Sequence, residues 1–77
     1  MKMNPITLLD VPVGKHARLA RTQDDLRTKL KTYGLHIGYH LRVLRVAPLG
    51  GPLLVEVNGR EIALGRTVAE KLFVEVE

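Results

Sequence analysis

Three histidines are the side chains of this sequence best suited to bind a transition metal. His36 and His40 lie four residues apart, and His16 lies upstream of them. Neutral imidazole is a good ligand for zinc, iron and nickel. However, the segment between His36 and His40 contains Gly38 and enters a predicted strand, so the spacing does not bring both rings onto one ion as it would on a helix. We predict that no metal is required, and that His16, His36 and His40 form at most an adventitious site for zinc or iron.

Other side chains that commonly carry out reactions are missing. The 77 residues contain no cysteine and no serine, which excludes disulfides, cysteine-based zinc sites and two common nucleophiles. The glycine pair at residues 50–51 is followed by neither a lysine nor a predicted helix, so it does not form a phosphate-binding loop. We predict that the protein is not an enzyme.

Charged side chains are divided unevenly along the chain. The formal net charge is +4, and residues 1–50 carry nine Lys or Arg against three Asp, whereas residues 51–77 carry three against five Glu. A basic half can bind phosphates, and nucleic-acid binding is our alternative function. Proteins that bind single strands add stacking aromatic side chains, and only Tyr33, Tyr39 and Phe73 are aromatic here. We therefore expect most of these charges to form a solvated surface.

A short amphipathic helix is predicted at about residues 23–33, and a sheet must cover its apolar face. Leu26, Leu30 and Tyr33 fall on that face because they lie at positions i, i+4 and i+7. The helix is predicted to be inserted after the first strand of the fold.

The ends of the helices are predicted from local patterns. Thr22 begins a capping-box pattern, and Gly34 is suited to the left-handed conformation that ends a helix in a Schellman motif. Thr67 and Glu70 form a second capping box, which predicts one helical turn at residues 68–71, before the last strand.

Apolar and polar residues alternate in the rest of the sequence, as they do in half-buried strands. A change of phase near Leu44 predicts a bulge, and Asn58 with Gly59 predicts a tight hairpin. The proline-containing lead-in at residues 5–13 is predicted to pack without entering the middle of the sheet. Together these features predict a mainly β fold, a partly open SH3-like barrel of five strands. The five predicted strands are residues 16–21, 39–46, 53–57, 61–64 and 72–77.

Four ordered segments of the sequence have a recognisable pattern. They are LLDVPVG at residues 8–14, LKTYGLHIG at residues 30–38, APLGGP at residues 47–52 and IALGRTVA at residues 62–69. In this order they resemble the FeoA family, small cytoplasmic proteins of bacterial ferrous-iron uptake. The resemblance covers nearly all of the chain, implies a single SH3-like domain at residues 1–77, and implies no catalytic residue.

The function implied by this resemblance is an accessory one. Such a protein binds and modulates the membrane ferrous-iron transporter through the transporter's cytoplasmic GTP-binding part. Similar domains form the C-terminal part of metal-dependent repressors, but we expect a free-standing module here. The sequence has no apolar run near the roughly 18 residues of a spanning helix and no signal peptide, so we expect a cytoplasmic protein that does not insert into the membrane. The sequence is compatible with weak self-association of this protein.

The docking surface is predicted from apolar residues that the strand alternation leaves outside. Leu49 lies in the proline- and glycine-rich loop, and Leu54 and Phe73 occupy the outward phase of their strands. If the barrel gathers them, they form an apolar interaction patch, for which Arg42 and Arg45 supply a polar rim. The alternative is that Leu54 and Phe73 only cover the open ends of the barrel.

Overall fold

The computed structural model describes residues 5–77, which form one antiparallel sheet with short helical segments packed on it. In the sheet the strands have the order β1-β6-β2-β3-β4-β5, so β1 and β5 are its edges. The strands are β1 (Ile6–Thr7), β2 (His16–Thr22), β3 (His40–Val46), β4 (Leu53–Val57), β5 (Arg60–Leu64) and β6 (Leu72–Val76). The helical segments are α1 (Asp24–Arg27), α2 (Arg66–Ala69) and two 3₁₀ turns at Leu8–Asp10 and Leu30–Tyr33.

The predicted mainly β fold is confirmed, but its described part contains six strands rather than five. The additional strand is β1, where Ile6 and Thr7 pair with Val74 and Phe73 of β6. The lead-in therefore joins the sheet, and it does so at an edge, as its prolines require. Two paired residues are too few to produce the alternation that identifies a strand in a sequence.

The predicted alternation places the core correctly. Leu53, Val55 and Val57 of β4 are buried, and so are Ala17 and Leu19 of β2. The register of β3 against β4 shifts between Val43 and Arg45, which confirms the predicted bulge. Asn58 and Gly59 both have positive φ, as the predicted two-residue hairpin requires.

The amphipathic helix predicted at residues 23–33 is divided into α1 and the second 3₁₀ turn. Leu26 and Leu30 are both buried, so the predicted apolar face is confirmed despite the division. The stop at Gly34 is also confirmed. Its φ is 76°, its amide donates to the carbonyl of Lys31 at 3.0 Å, and the Leu35 amide donates to the carbonyl of Leu30 at 3.0 Å. These two bonds define a Schellman motif.

Both predicted capping boxes are wrong. Gln23 precedes α1 and Gly65 precedes α2, and neither gives a side-chain cap. Thr22 stays in β2, and its hydroxyl donates to the carbonyl of Lys71 at 3.1 Å. The Lys71 ammonium in turn donates to Asp25 at 2.6 Å and holds the pKa of that carboxyl below its usual value. Contacts from Lys71, which is distant in sequence, thus fix the start of α1. The second helical turn begins at residue 66 rather than at the predicted residue 68.

Candidate functional site

The three histidines do not meet in one site. His16 and His40 lie on neighbouring strands, where their pairing partners are Arg42 and Arg18, while His36 lies in the loop before β3. All three are exposed. Within residues 5–77, no three side chains of the His, Cys, Asp and Glu types converge as a metal site needs. Zinc or iron binding by these histidines stays a prediction.

The loop between β3 and β4 presents a leucine to solvent. Leu49 is fully exposed, with a relative accessibility of 103%, and its φ is 58°. Gly50 follows with a φ of 76°, and the amide of Gly51 donates to the carbonyl of Pro48 at 3.1 Å. Leucine rarely adopts a positive φ, because its Cβ then crowds the backbone. An apolar side chain is thus held outward by a tight and strained turn.

A shallow apolar pocket lies beside the base of this loop. Its floor is a cross-strand row on the outer face of the sheet, in which Arg45 pairs with Leu54 and Leu54 pairs with Ala63. Ala47 and Pro52, whose backbones are joined by a hydrogen bond of 3.0 Å, form the end wall. The volume of the pocket is about 190 Å³. Ala47 and Pro52 flank the loop of Leu49, so this loop lies next to the pocket that Leu54 and Arg45 line, and the role of these residues in docking stays a prediction.

Phe73 does not belong to this patch. It pairs with Arg21 of β2, whose guanidinium carbon lies 4.3 Å from the centre of the phenyl ring. Residues 16–18 of β2 pair with residues 40–42 of β3 in antiparallel register, so Arg21 lies beyond one end of this pairing and Arg45 lies beyond the other. The expected gathering of Phe73 with Leu54 is therefore wrong, because the register of the sheet separates them.

Two arginines of the sheet are paired with carboxylates on its outer face. Arg18 forms an ion pair with Glu75. The Nη2 atom of Arg42 lies 3.7 Å from Oε1 of Glu56. Arg42 thus lies beside Glu56 of β4 and is not among the residues that line the pocket. These pairs lower the positive potential of the surface and weigh against the nucleic-acid alternative.

Sequence reasoning missed two residues of the site. Ala63 forms part of the pocket floor, and nothing in the sequence marks it, since its role depends on pairing with Leu54. Arg66 packs against the loop: a Cβ placed on Gly50 would lie 3.9 Å from its Nε, which is buried and makes no hydrogen bond within the described residues. This packing gives Arg66 a structural role at the loop.

Residues 5–77 include no helix that is long and apolar enough to cross a membrane.

A family model described as the FeoA domain matches residues 6–76. The chain is 25% identical to the iron uptake regulatory protein FeoA, over 97% of this chain and 100% of that chain, with a TM-score of 0.82. It is 33% identical to the FeoA protein from Chlorobium tepidum, over 92% of this chain and 70% of that chain, with a TM-score of 0.79. These similarities confirm the SH3-like fold. No curated protein sequence matches the chain.

The similar structures also include longer metal-dependent regulators. The chain is 31% identical to ScaR with bound Zn²⁺, over 97% of this chain but only 38% of that chain, with a TM-score of 0.83. ScaR is described as a manganese-activated repressor. The same domain therefore occurs alone and as a part of a longer metal-dependent regulator.

Proposed function

We propose that the chain, which belongs to the FeoA domain family, is a non-enzymatic accessory protein of ferrous-iron transport. Membership of this family implies involvement in that transport. It acts in the cytoplasm, where it binds and modulates the GTP-binding part of the membrane ferrous-iron transporter. The proposal requires no metal bound to this chain, because iron is the cargo of the transporter.

The observation that carries this proposal is the conformation of Leu49. A left-handed conformation costs a leucine roughly 1–2 kcal/mol, and the Leu49 side chain, fully exposed within the described structure, is not buried there to offset this cost. Strained residues of this kind cluster at functional sites. Burial of the leucine in a partner would contribute about 1.5–3 kcal/mol to binding, which is enough to explain why a strained and exposed leucine is present.

The surroundings of Leu49 fit a protein partner better than a small molecule. The neighbouring pocket is apolar and shallow, and Arg45 stands exposed beside it. An exposed apolar group with a basic residue next to it is typical of a binding surface with a polar rim. The hydrogen bonds that close the loop also reduce the ordering that binding would otherwise require.

The direct experiment is isothermal titration calorimetry of the purified protein with the soluble GTP-binding domain of the transporter. We expect saturable binding whose strength changes little with salt. A parallel titration with duplex DNA tests the alternative, for which the affinity would fall steeply as salt rises. Saturable DNA binding together with no binding to the GTP-binding domain would replace the proposed function by the alternative.

A further inference from the structure

β5 is an open edge of the sheet. β4 is its only partner strand among the described residues, and the two-residue turn between them makes Val57 and Arg60 the closing hydrogen-bonded pair. Because such pairs alternate along an antiparallel ladder, Glu61 and Ala63 direct their backbone N–H and C=O groups away from β4. Both residues are exposed, and no turn or loop bond in the described chain uses these groups. The edge therefore offers four backbone groups to a further strand.

The apolar pocket extends to this edge. Its floor runs from Leu54 to Ala63, and Ala63 is the last residue of that cross-strand row. A strand added beside β5 would place one side chain next to Ala63, over the pocket. The pocket volume of about 190 Å³ exceeds that of the engineered cavity of about 150 Å³ that holds benzene. It is therefore large enough for one aliphatic side chain.

The next cross-strand row on the same face contains one basic residue, Arg42, and two acidic residues, Glu56 and Glu61. Glu56 and Glu61 stand directly opposite each other, and like charges in this position destabilise a sheet. The Nη2 atom of Arg42 lies 3.7 Å from Oε1 of Glu56 on one side, and no strand of residues 5–77 covers Glu61 on the other side. A basic side chain on an added strand, opposite Glu61, would give each of the two glutamates one basic neighbour.

We propose that β5 binds an extended peptide segment of another protein by strand addition. The segment places a large aliphatic residue opposite Ala63 and a lysine or arginine opposite Glu61, two residues apart. This inference goes beyond the transporter contact, because it states the chemistry of the bound segment and not the protein that supplies it. A second copy of β5 does not fit, since its own residues at these phases are Glu61 and Ala63, which are neither basic nor large.

The test is a titration of the ¹⁵N-labelled full chain with two synthetic heptapeptides, followed by NMR. The first, acetyl-TVLTKVT-amide, carries Leu and Lys two residues apart in the order that suits an antiparallel strand, and the second has Glu in place of Lys. We expect the first to shift the amide signals of Glu61 and Ala63 most strongly. We expect the second to bind about fivefold more weakly, as a cross-strand charge pair predicts.

Two variants separate the backbone contact from the charge contact. Ala63→Pro removes an outward N–H without disturbing the β4 ladder, since edge strands tolerate proline there, and it should weaken binding of the first peptide at least about tenfold. Glu61→Lys should reverse the preference, so that the Glu peptide binds more tightly than the Lys peptide. This second variant keeps the test valid if the proline variant does not fold.

Three results would overturn the inference. They are no binding of either peptide to the wild type, unchanged peptide preference in a folded Glu61→Lys protein, and dimerisation of the free protein that Ala63→Pro abolishes. The last result would show that the edge pairs with its own copy. The titration does not involve the transporter, so its failure leaves the proposed function unaffected.

Discussion

Leu49→Asn should make the protein more stable while it removes partner binding. The leucine has a φ of 58° and a fully exposed side chain, so the substitution loses no packing. Asparagine adopts the left-handed conformation much more readily, and relief of part of the roughly 1–2 kcal/mol strain should raise the free energy of unfolding by about 0.5–1 kcal/mol. For a domain of this size, that corresponds to a rise in Tm of about 4 °C.

The assay is urea unfolding followed by circular dichroism, with Ile37→Asn as the matched control. Ile37 is also exposed, at 46%, but it does not have a positive φ. The control should therefore change stability by less than about 0.5 kcal/mol. A loss of more than about 1 kcal/mol in the Leu49→Asn variant would show that the leucine packs against the protein and would refute the strain argument.

Three further predictions concern the helix stop, the histidines and an ion pair. Gly34→Val should cost more than about 1 kcal/mol, because a β-branched residue is strained at a φ of 76°. Gly65→Thr, which adds a β-branched residue at a φ of −63° with open space around it and at a helix N-cap that accepts threonine, should cost much less in the same unfolding assay. Replacement of all three histidines by alanine should leave the fold and partner binding nearly intact, and tight stoichiometric metal binding by calorimetry that this triple variant loses would contradict that expectation. Lys71→Ala should raise the pKa of Asp25, measured by NMR titration, towards its usual value. Since the pair depresses the native pKa of Asp25, its stabilising effect should be present above the unfolded-state pKa and disappear as the pH falls through the native pKa, and an unchanged Asp25 titration would contradict the pairing.

Features that depend on residues close together in the sequence could be predicted from it. The alternation in β4, the hairpin at Asn58 and Gly59, and the Schellman stop at Gly34 each follow from local sterics and burial. The capping box at Thr22 failed for the opposite reason. A carbonyl at Lys71, far away in sequence, competes for the threonine hydroxyl and keeps the residue in its strand.

The candidate site could be predicted only in part. Leu49 was identified because prolines and glycines around it indicate a turn, in which an apolar side chain has no core to enter. Phe73 was misplaced and Ala63 was missed because their neighbours depend on the register between strands that are distant in sequence. Alternation determines which face a residue occupies, but it does not determine which residues from other strands lie beside it.

The most direct test of the account compares two variants in binding to the GTP-binding domain of the transporter. Leu49→Glu places a charge where the account expects an apolar contact, and Ile37→Glu makes the same change at an exposed apolar position outside the β3–β4 loop. With both proteins folded, calorimetry should show that Leu49→Glu weakens binding at least about tenfold, while Ile37→Glu binds like the wild type. Wild-type affinity in the Leu49→Glu protein would contradict the central claim and move the docking site away from this loop.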